Sequence, residues 1–311
     1  MAVQVSTQGS LAPEFKTFYD RTLLERALPE LVHLQFGQQR PIGPGQGKTI
    51  EFRRFSSLPV STTPLTEGVT PAGNSLTVTA ITASVNQYGD YLEGSDLLDL
   101  TAIDPILTET ASLLGEQAGY SLDTIAKNAL VGGTSVQYAN GRTARTGLVA
   151  GDNLTVTEIR KAVRTLQKNK ARPVDGGAYV ALVSPSAVYD IQSDAAWRSA
   201  SEYAGSQQIF SGEVGQLYGV RFVQTTETAV FAGAGGGTPP IDVHATLVLG
   251  ANAYGIIPLT GQNLDFIFKP LGSAGTADAL DQRWTSGWKA AFTVKILQDA
   301  FMVRIEHAVS G

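Results

Sequence analysis

Residues 49–55, Thr49-Ile50-Glu51-Phe52-Arg53-Arg54-Phe55, largely alternate apolar and polar side chains, as a β-strand does. They form the outgoing half of a long polar arm, Phe36 to Asp99, whose return half runs from Leu76 to Tyr91. The tip of the arm, Ser56 to Ser75, carries three prolines and too few apolar side chains for a core of its own. Because a hairpin that cannot bury itself is marginal in water, we predict that another surface covers the arm, such as a second copy of the chain.

The return half of the arm contains a one-residue slip in its alternation. Its apolar positions fall into two phases, namely Leu76, Val78, Ala80 and then Ile81, Ala83, Val85. Since side chains on a strand alternate with a period of two, this slip predicts a bulge or twist near Ala80. We expect the arm to leave its own subunit at that point.

Composition favours a well-packed protein. The chain has 311 residues, of which 43% are hydrophobic and 16% charged, enough for a substantial core and about two domains. It has no cysteine, which excludes disulfides and thiolate chemistry, and its net charge of -5 argues against strong electrostatic nucleic-acid binding. No secretory signal is expected at the start, and glycine, asparagine and proline interrupt the uncharged stretch Ala245 to Leu264, so we predict strands there and no membrane partner.

Two helices flank the arm in the sequence. The first is predicted over Pro13 to Leu28, and the second begins at Asp104-Pro105 and ends at Gly132-Gly133, a length of roughly 40 Å. The helical spacing of the second helix places Asp123 on a different face from its apolar stripe. That stripe comprises Ile103, Leu107, Leu114, Ala118, Leu122, Ile125 and Ala129.

A compact α/β unit follows. A capping box, Thr155 to Glu158, predicts a helix, and the apolar run Ala178 to Val183 predicts a strand that ends where Ser184-Pro185 starts another helix. Val220 to Val223 is a further strand. In the C-terminal segment two alternating strands flank Gln298-Asp299, which we interpret as a hairpin turn.

Two glycine-rich segments resemble phosphate-binding loops. Gly43 to Thr49 ends in Gly-Lys-Thr, but Ile42 stands where the first glycine belongs and a strand follows instead of a helix. Gly233 to Gly237 runs into Thr238-Pro239-Pro240, again without a helix to receive a pyrophosphate. We interpret the first segment as a turn and the second as a flexible loop.

The titratable residues also lack a catalytic pattern. His33, His244 and His307 stand alone in sequence, and the first and last are interpreted as ordinary surface or sheet residues. Three aspartates precede the long helix, where turn chemistry and the helix dipole favour them over paired acid/base carboxylates or a cation site; they are Asp96, Asp99 and Asp104. A basic cluster is interpreted as a solvated face in preference to a nucleic-acid or subunit contact; it comprises Arg160, Lys161, Arg164, Lys168, Lys170 and Arg172. We predict no catalytic, metal-ligating or cofactor-binding residue.

Four segments resemble a known family, and together they span nearly the whole chain. They are Leu23 to Pro29, Gly47 to Phe55, Gly212 to Val223 and Asp281 to Phe292. The chain resembles the major capsid proteins of tailed phages, which share the Hong Kong ninety-seven fold, and within them the family named for the major capsid protein of coliphage N-four. The Gly-Glu-x-Gly-x-x-x-Gly-Val and Gly-Trp-Lys motifs carry most of this resemblance.

The resemblance implies an α+β phage capsid fold. It assigns residues 1–36 to an N-terminal arm and leading helix, 37–95 to an extended loop over a neighbouring subunit, 96–151 with 263–311 to a peripheral domain, and 152–262 to an axial domain. The long helix would be the spine helix of the peripheral domain, and the axial loops would meet around the five-fold and quasi six-fold axes.

The implied function is structural: hexamers and pentamers of an icosahedral head, assembled in the host cytoplasm, that encloses double-stranded DNA bound without sequence specificity. Portal, scaffolding or decoration proteins would be further partners, and no chemistry is implied. Two alternatives stay open. One is an encapsulin-like compartment shell of the same fold, and the other is an unrelated enzyme with an oligomeric β-rich arm, for which no residue cluster predicts a pocket.

Overall fold

The computed structural model describes residues 21–27, 31–43, 45–56, 58–101, 106–174, 177–195, 197, 213–259, 264–273 and 275–310. The helices are α1 (residues 21–27), α2 (Asp96–Thr101), α3 (Ile106–Val131), α4 (Val156–Lys168) and α5 (Pro185–Ser193). The strands are β1 (Gln38–Gln39), β2 (Thr49–Phe55), β3 (Val78–Ser84), β4 (Asn86–Ser95), β5 (Val136–Tyr138), β6 (Tyr179–Val183), β7 (Glu213–Leu217), β8 (Val220–Gln224), β9 (Ala229–Phe231), β10 (Val243–Leu249), β11 (Tyr254–Pro258), β12 (Asp265–Lys269), β13 (Arg283–Ile296) and β14 (Met302–His307).

The arm is a two-stranded antiparallel hairpin, β2 with β3, as its sequence predicts. The predicted bulge near Ala80 is wrong, because the pairing runs without a shift from Thr49 opposite Ser84 to Phe55 opposite Val78. Ala80 lies in an exposed part of the strand, where no buried face fixes the alternation. The interruption comes instead at Val85, after which the chain leaves β2 and pairs as β4 with β13.

Two larger sheets form the body of the chain. In the five-stranded sheet, β4 and β12 pair antiparallel with the same stretch of β13 and so lie on its opposite edges, while β11 continues the β12 edge and β1 lies beside β11. The seven-stranded sheet has the order β5-β14-β10-β6-β8-β7, and β9 also pairs with β10. Each sheet thus combines strands that are distant in sequence.

The C-terminal strands do not form the predicted hairpin. β13 lies in the five-stranded sheet and β14 in the seven-stranded sheet, and a short 3-10 helix, Asp299–Phe301, carries the chain between them. Alternating side chains show which face of a strand is buried but not which strand is its neighbour, so the sequence pattern fits either arrangement.

The long helix α3 packs against both sheets. Its residues Leu114, Ala118 and Leu122 are buried, as predicted, against Trp288 of one sheet and Leu247 of the other. α4 and α5 cover the opposite face of the seven-stranded sheet, where a second cluster includes apolar side chains of β6, β8, β10 and β14. The molecule is therefore layered, with α3 between two sheets and α4 and α5 outermost.

The N-termini of α4 and α5 follow their capping signals. The Thr155 hydroxyl accepts from the backbone N–H of Glu158 at 3.4 Å, and the Ser184 hydroxyl accepts from that of Ala187 at 3.2 Å. Residues 21–27 are helical within the predicted first helix, while the rest of that prediction and the Asp104-Pro105 start of the long helix lie outside the described residues.

Within the uncharged stretch that starts at position 245, the described residues 245–259 form strands and turns, as predicted, because β10 and β11 lie there. Of the helices that the structure describes, none is sufficiently long and apolar to cross a membrane.

Candidate assembly surfaces

The hairpin β2–β3 contacts the body along its paired strands. There Phe52, Ala83 and Val85 are buried in a small cluster with Ile257 and Ala291 of the five-stranded sheet. The guanidinium group of Arg40 lies 5.5 Å from the centre of the Phe52 ring, and Arg54 donates to the carbonyl of Leu297 at 3.4 Å. These contacts fix the direction of the paired strands and leave the tip beyond Phe55 uncovered.

The hairpin tip, Ser56 to Ser75, is not covered by its own chain. Every described residue from 58 to 75 is exposed, and large apolar side chains are among them: Leu58, Val60, Leu65 and Val69 are 57%, 86%, 78% and 63% exposed. The tip encloses an open cavity of about 520 Å³ that its own residues line. Side chains of this kind are stabilised by a second surface.

A groove of about 590 Å³ lies on the outer face of the five-stranded sheet, the face turned away from α3. We call it the sheet groove. Gly287 lies at the floor of the groove and has no side chain to fill it. A Cβ atom at this position would lie 2.7 Å from the carbonyl oxygen of Asp90 and 2.8 Å from the Cβ of Tyr91. The lining includes Gln87, Tyr91, Ile267, Lys269, Thr285 and Lys289, whereas the neighbouring Tyr88 ring packs against Phe292 on the α3 face.

Apolar exposure continues from the groove along the edge of the sheet. Tyr91 and Leu92 of β4 are 61% and 45% exposed, and Leu97 of the following α2 is 66% exposed. On α3, whose apolar side packs between the two sheets, Leu113 is 60% exposed. Large exposed apolar side chains on several elements suit a protein whose contacts with other molecules are spread over its surface.

The histidines are structural. His33 lies in a buried turn and contacts Asp123, so neither its interpretation as a surface or sheet residue nor the outward placement of Asp123 is right. The interpretation of His307 as a sheet residue is confirmed: it lies on β14 opposite His244 of β10, with 6.3 Å between the ring centres. Burial lowers the pKa of His307 to about 4 and also lowers the pKa of His244.

The remaining candidates form no catalytic arrangement among the described residues. Asp96 begins α2 and accepts from the backbone N–H of Leu97 at 2.7 Å, whereas the side chains of Asp99 and Asp104 lie outside the described set. Throughout the described ranges, no three His, Asp or Glu side chains come together as metal ligands.

The glycine-rich segments have the roles expected of a turn and a loop. Residues 45–48 are irregular and lead into β2, with no helix N-terminus that could hold a phosphate. In the second segment the backbone N–H groups are used internally: Gly233 donates to Asp242 at 2.7 Å, Gly235 to the carbonyl of Ile241 at 3.0 Å, and Gly236 to that of Leu148 at 2.7 Å.

The sequence did not reveal the sheet groove. Its walls come from β4, β12 and β13, which are far apart along the chain, and its floor depends on pairing Tyr91 with Gly287. The only available signal was the glycine at position 287 within an otherwise bulky strand, and a strand glycine can equally mark a bulge or a bend.

Comparison with known proteins places the fold. Residues 122–256 match the family model described as phage capsid protein, and no curated protein matches the sequence. The chain is similar to the capsid of Ralstonia phage GP4, with 16% identity over 89% of this chain and 88% of that chain and a TM-score of 0.70. It is also similar to the acidic stable capsid of Helicobacter pylori bacteriophage KHP30, with 12% identity over 87% of this chain and 88% of that chain and a TM-score of 0.65. A virus-like particle from Pyrococcus furiosus is similar as well, with 11% identity over 94% of this chain and 99% of that chain and a TM-score of 0.56. These likenesses confirm the predicted α+β fold.

Proposed function

We propose that this chain, which has the fold of tailed-phage major capsid proteins, is the structural subunit of an icosahedral phage head that encloses double-stranded DNA. The family match over residues 122–256 and the structural likenesses over most of the chain indicate a capsid shell protein and point to a structural role rather than an enzymatic one. Self-assembly into hexamers and pentamers is the finer part of the proposal.

The observation that carries the proposal is the uncovered hairpin tip. Its four large apolar side chains are more than half exposed, and burial of such a side chain contributes about 1.5–3 kcal/mol. A monomer gains nothing from this segment, whereas contact with another copy would bury all of it. A swapped arm is one way in which identical subunits make large and closed interfaces.

We take the sheet groove of a second copy as the surface that receives the tip. Proline-rich segments dock in grooves lined by aromatic side chains, and the groove offers the exposed ring of Tyr91. Charge agrees with this pairing, because Glu67 is the only charged residue in the tip while Lys269 and Lys289 line the groove. The arm of each subunit would then lie across its neighbour.

The division of the chain follows from the same proposal. Residues 1–36 and 37–95 would be the N-terminal and extended arms, 96–151 with 263–311 the peripheral domain, and 152–262 the axial domain. The sheets join these parts closely, since β14 pairs with β10 and β11 pairs with β13. Assembly in the host cytoplasm, residence in the virion, and contacts with portal, scaffolding or decoration proteins complete the proposal.

An encapsulin-like compartment shell is the second candidate, because a virus-like particle also shares the fold at near full length. The contents of purified particles distinguish the two. Packaged genomic DNA supports the phage head, whereas an enclosed protein cargo supports the compartment.

Electron microscopy of the expressed full-length chain tests the shared prediction of both candidates. We expect closed shells of uniform size. A protein that stays monomeric at all concentrations, with a folded circular dichroism spectrum, would contradict the proposal.

A further inference from the structure

The outer face of α4 concentrates positive charge. Between positions 160 and 172 the chain has six of its 23 basic residues and none of its 28 acidic residues. Like charges at i, i+4 on a helix repel and cost about 0.2–0.5 kcal/mol per pair, so a merely solvated face commonly mixes both signs. This face therefore carries a cost that folding alone does not explain.

The charges form a row. Arg160, Arg164 and Lys168 follow one another at intervals of four residues and lie nearly in line along α4, all three exposed. The row spans about 12 Å at about 1.5 Å per residue. The opposite side of the helix, with Ile159 and Leu166, is buried against the seven-stranded sheet. The row thus lies on the outermost layer of the molecule.

Among the described residues, no carboxylate lies within 4.0 Å of any of these three cations; Arg160 lies over the Tyr218 ring at 5.1 Å, a contact that leaves its charge in place. Their neighbours differ: Lys161 pairs with Glu158 at 2.7 Å, and Arg142 pairs with Asp152 at 2.8 Å. The row is therefore available to an external anion.

We infer that the outer face of α4 binds the phosphate backbone of the duplex DNA enclosed by the shell, an inference that rests on the proposed function. Over about 12 Å a duplex presents about seven phosphate charges, at one per about 1.7 Å, which the row and the following Lys170 and Arg172 can contact. A second protein fits less well, because the cores of protein interfaces are apolar and depleted in charge, whereas no exposed residue from 157 to 172 is apolar. It follows that the α4 layer faces the interior of the shell and that α3, across the sheet, lies farther from the DNA.

The first test measures binding of a short DNA duplex to the unassembled full-length chain by fluorescence anisotropy at several salt concentrations. Replacing Arg160→Gln, Arg164→Gln and Lys168→Gln together should lower the slope of log affinity against log salt by about 2.7, at about 0.9 per lost phosphate contact. The matched control removes three exposed cations elsewhere, Lys48→Gln, Arg53→Gln and Lys295→Gln, and should leave the slope unchanged. Equal slopes for both variants, or no binding by the parent chain, would overturn the inference.

The second test determines which side of the shell α4 faces. Because the chain has no cysteine, Lys168→Cys introduces a single thiol for a bulky maleimide-polyethylene glycol. We expect modification in dissociated subunits and protection in intact shells, whereas equal modification of both places α4 outside and overturns the inference. If the triple α4 variant binds DNA normally but fails to assemble, the row is a subunit contact instead. If the parent chain forms no shells, the proposed function fails while the salt-slope comparison still decides the role of α4.

Discussion

Nδ1 of His33 lies 2.6 Å from Oδ2 of Asp123, and the backbone N–H of His33 donates to Oδ1 of the same carboxylate at 2.7 Å. Both side chains are at most 1% exposed. The hydroxyl of Tyr254 donates to the carbonyl of His33 at 2.6 Å. One buried turn therefore joins the middle of α3 to β11, so the helix and the five-stranded sheet are held together by polar contacts as well as by apolar packing.

Replacement Asp123→Ala is expected to lower the free energy of unfolding by about 3–5 kcal/mol, because it leaves the buried donors of His33 without an acceptor. Asp123→Asn retains one acceptor oxygen and should cost less. Urea unfolding of the unassembled chain measures both. Glu109→Ala, at an exposed position on the same helix, is the control and should change stability by less than about 0.5 kcal/mol. A similar loss at both positions would show that the His33 contact contributes little.

The same pair shows what sequence reasoning can and cannot find. Alternation of side chains within a strand is a local signal, so the alternation of residues 49–55 predicts β2 with its observed bounds. The contact of His33 with Asp123 joins residues 90 positions apart, and nothing in the helical period distinguishes a buried, paired aspartate from a solvated one. The misassigned hairpin at Gln298-Asp299 has a similar origin, because strand partners are chosen by the tertiary fold. The helix caps at Thr155 and Ser184 succeed because their partners lie three residues away.

The buried histidines predict a loss of stability in mild acid. The pKa of His307 is about 4 in the folded chain, because burial disfavours its charged form, and its ordinary value is about 6.5. A depressed histidine pKa means that the unfolded chain binds more protons between these values. The contribution of neutral His307 to the free energy of unfolding is therefore complete above about pH 6.5, and the free energy of unfolding falls by up to about 3 kcal/mol as the pH approaches 4. Unfolding by urea at a series of pH values measures this slope.

The hydrogen bonds of His307 suggest the matched variant. Its Nδ1 lies 2.7 Å from the carbonyl oxygen of Ala308 and must donate to it, which leaves Nε2 to accept from the Thr246 hydroxyl at 3.0 Å. His307→Gln can keep a donor and an acceptor without titrating. We expect a flatter dependence on pH between 6.5 and 4 for this variant, and parallel curves for the two proteins would refute the assignment to His307.

Deletion of the hairpin tip, Ser56 to Ser75, should separate folding from assembly. Every described residue from 58 to 75 is exposed, and the buried cluster beneath the hairpin strands uses Phe52 and Ala83, which the deletion retains. We expect a folded monomer whose thermal midpoint is within a few degrees of the unassembled parent, and no shells by electron microscopy. Unaltered particles would mean that the tip is not an assembly contact.

The pairing of the tip with the sheet groove can be tested by exchange of charge. Glu67→Lys places a third cation beside Lys269 and Lys289 of the neighbouring copy, and a cost of about 0.2–1 kcal/mol for each of the two pairs would raise the concentration needed for assembly roughly two- to thirtyfold. Lys269→Glu in the same chain restores the opposite-charge pair and should recover part of the loss. Light scattering over a concentration series measures the threshold for each protein. A single variant that assembles like the parent, or a double variant no better than the single, would place the tip on a different surface.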